Sequence, residues 1–279
     1  MSHRKTVALT TLAMIAFAGN SLLCRVALAH TAIDAASFTS IRLLSGAIVL
    51  WLIIQSKGER IGGAGSWTSA LALFAYAAGF SFAYVSLAAA TGTLLLFGAV
   101  QTTMISYGLW KGERLKGLQL AGLMLAFGGL FGLLLPGLSA PPLTASMLMI
   151  AAGIAWGIYS LRAKGAANPT QITAGNFVRA VPFAAALSLI MLSRVSLDGY
   201  GIMYAVASGG LASGVGYAIW YTALRGLKAT SAATVQLSVP VIAAVGGALF
   251  LSEAITLRLL IASAAILGGI ALITLRRNR

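Results

Sequence analysis

GGLASGVGYAIWY, Gly209 to Tyr221, decides the fold. Four of its thirteen residues are glycine, yet it lies inside a long apolar run. A glycine costs a water-exposed helix about 1 kcal/mol relative to alanine. In lipid that penalty is offset, because small residues let helix backbones approach closely. Gly210 and Gly214 form one small-xxx-small pair, and Gly209 and Ser213 form another. The stretch ends on Tyr217, Trp220 and Tyr221, which at i, i+3 and i+4 share one helical face. A thin packing seam, able to slide, followed by an aromatic face turned to a cavity, describes a helix whose solvent is lipid.

The rest of the chain agrees. Of 279 residues, 59% are hydrophobic and 9% charged, against about 25% charged in a soluble domain. Apolar runs near membrane-spanning length fall at about 6–29, 35–55, 67–89, 91–110, 116–135, 142–163, 170–192, 200–224, 229–251 and 256–275. Turn and charge signals separate them: QSKGERIGG, WKGERLKG, PGLSAPP, AKGAANPT, SRVSLDG and LSEAITLR. With the N-terminus in the cytoplasm, the inner segments hold Arg4, Lys5, Lys57, Arg60, Lys111, Arg114, Lys116, Arg162, Lys164, Arg225, Lys228, Arg276, Arg277 and Arg279. The outer segments hold Arg25, Arg194 and Arg258. Fourteen against three places both termini inside. The net charge of +14 is thus a topology signal spread between apolar runs, and it excludes nucleic acid as a partner. The start mimics a signal peptide, with His3, Arg4 and Lys5 before an apolar stretch and Ala27-Leu28-Ala29. Arg25 just before that site argues against cleavage, as does the repeat below. Cys24 is the single cysteine, so no intrachain disulfide forms.

WKGERL, ending the fourth run, recurs loosely as FLSEAI ending the ninth, with Glu113 and Glu253 140 residues apart. The same offset carries Gly128-Gly129 onto Gly268-Gly269, Ala83 onto Ala223 and Phe80 onto Trp220. Upstream, an offset of 137 carries Arg42 onto Arg179 and Arg25 onto Arg162. Residues 1–138 and 139–279 therefore read as two five-helix copies. Five is odd, so the second copy enters the membrane from the opposite side, the inverted repeat of secondary transporters. The fold class expected is an all-α polytopic membrane protein, ten transmembrane helices in two inverted five-helix repeats around a central cavity.

The chain resembles the drug/metabolite transporter superfamily, specifically its ten-helix EamA-type exporters. The residues carrying the resemblance are the arginines of IRLLSGA and FVRAVPF, Trp156-Gly157, YTAL at the end of the eighth run, Pro240, and the two glutamates each followed by a helix. SLAAATGTLLLFGAVQTTMI and the aromatic content look most like the aromatic amino acid exporters of that family. The resemblance implies an inner-membrane exporter of small metabolites, amino acids with aromatic ones preferred, working by alternating access with no cofactor and no required oligomer. It places spans three, four, eight and nine, with one and six, around the cavity. Val100 stands opposite Pro240, a departure that bends the halves unequally. The other reading is a broad drug or metabolite exporter coupled to protons.

The candidate substrate residues follow from both lines. Tyr76, Phe80 and Tyr84 share a face at i, i+4 and i+8; Trp156 and Tyr159 share another; Tyr217 and Trp220 complete the wall. Trp51, Trp67, Trp110, Tyr200 and Tyr204 sit at span ends and read as interface belts. Asn20, Gln101 and Gln236 are the amides inside spans, where each needs a partner. Pro240 denies the Gln236 carbonyl its normal helical donor, which leaves that acceptor open to substrate. Gly210, Gly214 and Pro240 are the hinge and packing positions. Arg42 and Arg179 lie in the outer thirds of their spans, where long side chains snorkel or bind helix-end carbonyls, a structural role. Glu113 and Glu253 are expected to cap the helices they begin.

Enzymes fit badly. His3 and His30, the two histidines, lie outside or at the edge of spans, so no intramembrane Ser–His pair forms. No paired aspartates lie in spans, and no metal-ligand cluster is present in the pattern. The five acids, Asp34, Glu59, Glu113, Asp198 and Glu253, fall in loops or at span ends. A proton-driven carrier places an ionisable group in the pathway, so the charges predict a facilitator.

Overall fold

A computed structural model describes residues 2–112, 117–137, 140–163, 167–227, 232 and 235–276. Glu113 lies outside the described residues, as do Arg114, Lys116, Lys164, Lys228, Arg277 and Arg279. The described residues form helices and no strand. They are α1 (His3–His30), α2 (Ala35–Ser56), α3 (Trp67–Tyr84), α4 (Ala89–Trp110), α5 (Gly117–Leu134), α6 (Leu143–Ala163) and α7 (Pro169–Ile190). Then come α8 (Gly199–Val206), a π-helical segment (Ala207–Val215), α9 (Gly216–Leu224), α10 (Ser238–Leu251) and α11 (Leu257–Arg276). Among the described residues, seven stretches are long and apolar enough to cross a membrane: α1, α2, α4, α5, α6, α7 and Gly199–Leu224. Shorter apolar helices, Ser238–Leu251 and Leu257–Ile273, lie beside them. The chain is a multi-pass membrane protein.

Local signals start the helices where polar side chains meet apolar runs. Asp34 Oδ1 accepts the N–H groups of Ala36 and Ser37 at 2.9 Å, opening α2. Ser66 caps α3 through the Ser69 N–H, and Asn168 caps α7 with Pro169 in its first turn. Asp198 accepts from Tyr200 and Gly201 to open α8. Each cap satisfies donors that a helix start leaves orphaned.

The packing is tightest where side chains are smallest. Gly209 in the π segment lies against the backbone carbonyl of Arg42, and its neighbour across the seam, Gly46, lies against Phe177 and the Gly209 carbonyl. A side chain at Gly209 would overlap the Arg42 carbonyl and the Ser45 hydroxyl. Of the two pairs expected to form the seam, Gly209 of the Gly209–Ser213 pair makes this contact, whereas Gly210 and Gly214 meet only Val49 across it. The difference comes from the π winding: i→i+5 bonding changes which residues fall on the contact face. A second glycine seam joins α5 to α11, where Gly122 and Gly129 meet Gly269 and Ala265. Large apolar side chains such as Phe131, Leu189, Ile190, Leu249 and Phe250 cover the outside, as a lipid solvent demands. Trp67, Trp110 and Tyr200 are exposed at helix ends.

The third apolar run was expected to reach residue 89, but α3 stops at Tyr84 and α4 begins at Ala89. Two charged side chains stabilise the break. Arg25 Nη1 donates to the carbonyls of Tyr84 and Val85 at 3.0 and 3.1 Å. Glu253 accepts the Ala89 N–H at 2.7 Å and pairs with Arg25 Nε at 3.0 Å. A cation thus sits on the negative end of α3 and an anion on the positive end of α4. Glu253 was expected to cap its own following helix. Instead Ser252, left-handed at φ 52°, turns the chain back after α10, and the carboxylate reaches across to α4. Ala88, at the cap position of α4, has no side-chain oxygen of its own to do this.

Candidate functional site

A small cavity lies among α1, α3, α4, α6, the π segment, α9 and the turn before α10. Its wall includes Asn20, Tyr76, Phe80, Trp156, Tyr217 and Gln236, six of the residues that the sequence nominates. Its volume is about 30 Å³, and a single water needs roughly 10–15 Å³ measured this way. The cavity therefore admits one or two waters in this conformation and no amino acid.

The rings close the space by packing on each other. Trp156 stacks between Tyr159 (5.2 Å, 24°) and Tyr217 (5.2 Å, 30°), with Tyr76 4.8 Å away. Phe17 meets Tyr217 and Trp220 edge-on at 5.8 and 5.9 Å. Such pairs contribute about 0.5–1.5 kcal/mol each beyond burial. A ligand entering here exchanges ring–ring contacts for ring–ligand contacts, which suits a flat apolar group.

Four nominated residues stand off the cavity wall. Trp220 is buried against Phe17. Tyr84 packs on Phe80 at 4.7 Å and donates to the Ala89 carbonyl at 3.3 Å, tying the broken α3–α4 corner. Tyr159 donates to Thr173 at 3.3 Å and accepts from Asn176 at 3.5 Å. Gln101 is buried on α4 beyond the wall. Tyr221, quoted in the opening stretch, accepts from the Thr173 hydroxyl at 3.2 Å.

The Gln236 carbonyl is not left open. α10 begins at Ser238, so Pro240 sits in the first helical turn, where a missing N–H costs nothing. The carbonyl accepts the Val239 N–H at 3.1 Å, and the Gln236 side-chain amide donates to the Ala232 carbonyl at 3.1 Å. Pro240 is a helix-start residue here, not a mid-helix hinge.

The two arginines that match at an offset of 137 residues behave differently. Arg179 donates to the carbonyls of Ala64 and Gly63 in the loop before α3 and of Gly175 one turn back in its own helix. Arg42 does not snorkel. It is 2% exposed, and Nη2 donates to the Tyr76 hydroxyl at 3.0 Å. The guanidinium lies 4.8 Å from the Phe80 ring centre and 5.2 Å from that of Tyr76. Among the described residues its Nη1 has no hydrogen-bond partner. Cation–π contacts supply up to about 2 kcal/mol each when desolvated, against several kcal/mol for burying the ion. From off the wall, Ser208 of the π segment donates to Asn20 Oδ1 at 2.6 Å, and on the wall Asn20 Nδ2 donates to the Tyr76 hydroxyl at 3.4 Å. The sequence missed Phe17, Ser21, Leu96, Phe97 and Ala212 in the lining. Phe17, Asn20 and Ser21, at i, i+3 and i+4, were the legible signal.

Helices long enough to span lipid pack around an aromatic cavity, an arrangement consistent with a membrane transporter of small molecules, the class that the family match indicates. Residues 143–275 match the EamA-like transporter family. The chain is 57% identical over 274 residues to a Pseudomonas aeruginosa protein named "Uncharacterized protein PA1977", covering 98% of this chain and 96% of that one. The EamA-like match over residues 143–275 supports placing the chain in the drug/metabolite transporter superfamily. A protein of known crystal structure, 19% identical, shares the fold with a TM-score of 0.70 over 98% of this chain and 99% of its own.

Proposed function

We propose that this protein is an inner-membrane secondary transporter exporting small metabolites, aromatic amino acids foremost, by alternating access and as a facilitator. The observation that carries the reading is the cavity, where Tyr76, Phe80, Trp156 and Tyr217 surround a volume that the Asn20 and Gln236 amides also reach. Its small volume fits an occluded conformation that opens to one side at a time. Taking Gly199–Leu224 as one rod, the helices make ten spans in two inverted halves, 1–138 and 139–279. The packing supports that reading: α3 on α6 answers α1 on α9, α4 on α6 answers α1 on α10, and α2–α7 and α5–α11 pair across the halves. Both termini lie in the cytoplasm in this reading. Asn20, Tyr76, Phe80, Trp156, Tyr217 and Gln236 contact substrate, with Tyr84, Gln101, Tyr159 and Trp220 as their supports.

The experiment is transport from proteoliposomes loaded with labelled phenylalanine, threonine or a nucleoside, first without and then with imposed pH and sodium gradients. The expected result is phenylalanine movement to equal concentration, unchanged by either gradient. Movement of threonine or the nucleoside but not phenylalanine refutes the aromatic preference. Accumulation of phenylalanine under a gradient refutes the facilitator.

A further inference from the structure

The geometry points to an anion-selecting subsite in the cavity, made by the Tyr76 hydroxyl with the Arg42 guanidinium behind it, that takes the carboxylate of the transported molecule. The inference rests on the cavity being the substrate site and adds the charge that the substrate must carry.

The Tyr76 oxygen accepts from two donors, Arg42 Nη2 at 3.0 Å and Asn20 Nδ2 at 3.4 Å. Those bonds occupy both of its lone pairs, so its own hydrogen remains to be donated. Tyr76 lines the cavity, and a ligand acceptor there completes the hydroxyl. A hydroxyl polarised by a cation behind it is a stronger donor, and charged acceptors make the stronger bonds.

Arg42 supplies the countercharge. Nearly all of it is buried, and among the described residues Nη1 has no hydrogen-bond partner. The four described acids are engaged elsewhere: Asp34 with Ala36, Ser37 and Ser196, Glu59 with Asn168, Asp198 with Ala32, Tyr200 and Gly201, and Glu253 with Arg25 and Ala89. Among the described residues Arg42 therefore has two aromatic faces and one hydroxyl, and no anion. The contrast with Arg179 separates this from a purely structural arginine, because Arg179 spends its donors on three backbone carbonyls. A buried cation left without an anion is complementary to one that arrives with the ligand.

The test compares skeletons that differ only in charge. Equilibrium dialysis of the purified full chain in detergent uses 3-phenylpropionate, phenylalanine and 2-phenylethylamine, then 4-methylpentanoate, leucine and 3-methylbutylamine. In each series the wild type is expected to bind the carboxylate at least tenfold more tightly than the amine. Arg42→Gln is expected to bring that ratio to unity, Arg42→Lys to keep part of it, and Tyr76→Phe to cut it while the ring remains. If Arg42→Gln does not fold, Tyr76→Phe decides by the same ratio. Amines that bind as well as carboxylates overturn the inference, as does a ratio that survives Arg42→Gln or Tyr76→Phe. Silence of the phenyl series with binding of the aliphatic one sinks the aromatic preference and leaves the charge ratio to be read on the aliphatic pair. Silence of all six compounds overturns the subsite itself.

Discussion

Gly209→Ala places a methyl where the Arg42 carbonyl and the Ser45 hydroxyl already stand. The serine can rotate, but a backbone carbonyl cannot, so α2 and the π segment must part. Overpacking typically costs 1–3 kcal/mol, and a backbone obstacle puts this change near the top, at about 3 kcal/mol. At roughly 2–4 °C per kcal/mol for a chain of about this size, unfolding falls by roughly 6–12 °C. The same stretch holds graded controls. At Gly214 the added atom would lie 3.0 Å from Val49 Cγ1, and at Gly210 it would lie 3.2 Å from Val49 Cγ2, a side chain that can yield. At Gly128 it would meet nothing within 4 Å, so alanine there is neutral or stabilising. The protein carries its own reporter. Cys24 is its one cysteine and is buried, so a fluorogenic thiol dye reads unfolding without any introduced label. The expected order of damage is Gly209, Gly214, Gly210, Gly128. A Gly209→Ala melting curve that overlays that of Gly128→Ala refutes the close contact and the seam built on it.

Glu253→Gln removes the carboxylate that joins Arg25 to the start of α4, with the two side chains 13% and 19% exposed. Hydrogen bonds to charged groups contribute about 1.5–3 kcal/mol, so a loss of about that size is expected, with faster Cys24 labelling by an impermeant thiol reagent applied from the Arg25 side. Unchanged stability and labelling refute the idea that this pair holds the α3–α4 break together. At Asp34 burial pushes the carboxyl up, but hydrogen bonds from the Ser37 side chain and from the Ser196, Ser37 and Ala36 N–H groups outweigh it and hold the carboxyl below its ordinary 3.8. A lowered folded value means its stabilisation is complete above about pH 4 and is lost as pH falls through that lowered value. Asp34→Asn should flatten the acid limb of the unfolding temperature measured against pH. Parallel wild-type and variant curves refute that assignment.

The sequence makes the membrane habit and the aromatic cavity legible because both rest on composition and on one-turn spacing, which helices preserve. It misleads where the local winding departs from 3.6 residues per turn. The spacing offers Gly209–Ser213 and Gly210–Gly214 as equal pairs, but this stretch is π-helical, and Gly209 alone takes the closest contact. Pro240 was read as lying deep in a helix, whereas α10 begins two residues before it. Arg42 and Arg179 match at an offset of 137 residues, and no spacing rule says that one guanidinium turns to loop carbonyls and the other to two rings. Glu253 reaches α4 only because of a left-handed turn at Ser252, which no glycine announces. Arg42 also answers why one stretch should be thin at one end and aromatic at the other. Its backbone is what Gly209 must be small enough to meet, while its side chain stands behind the cavity that Tyr217 helps to line. Ser208, beside that glycine, reaches the same Tyr76 hydroxyl through Asn20. Any sliding of the π segment along α2 must therefore disturb the donors around Tyr76, which ties the seam to the hydroxyl of the proposed subsite.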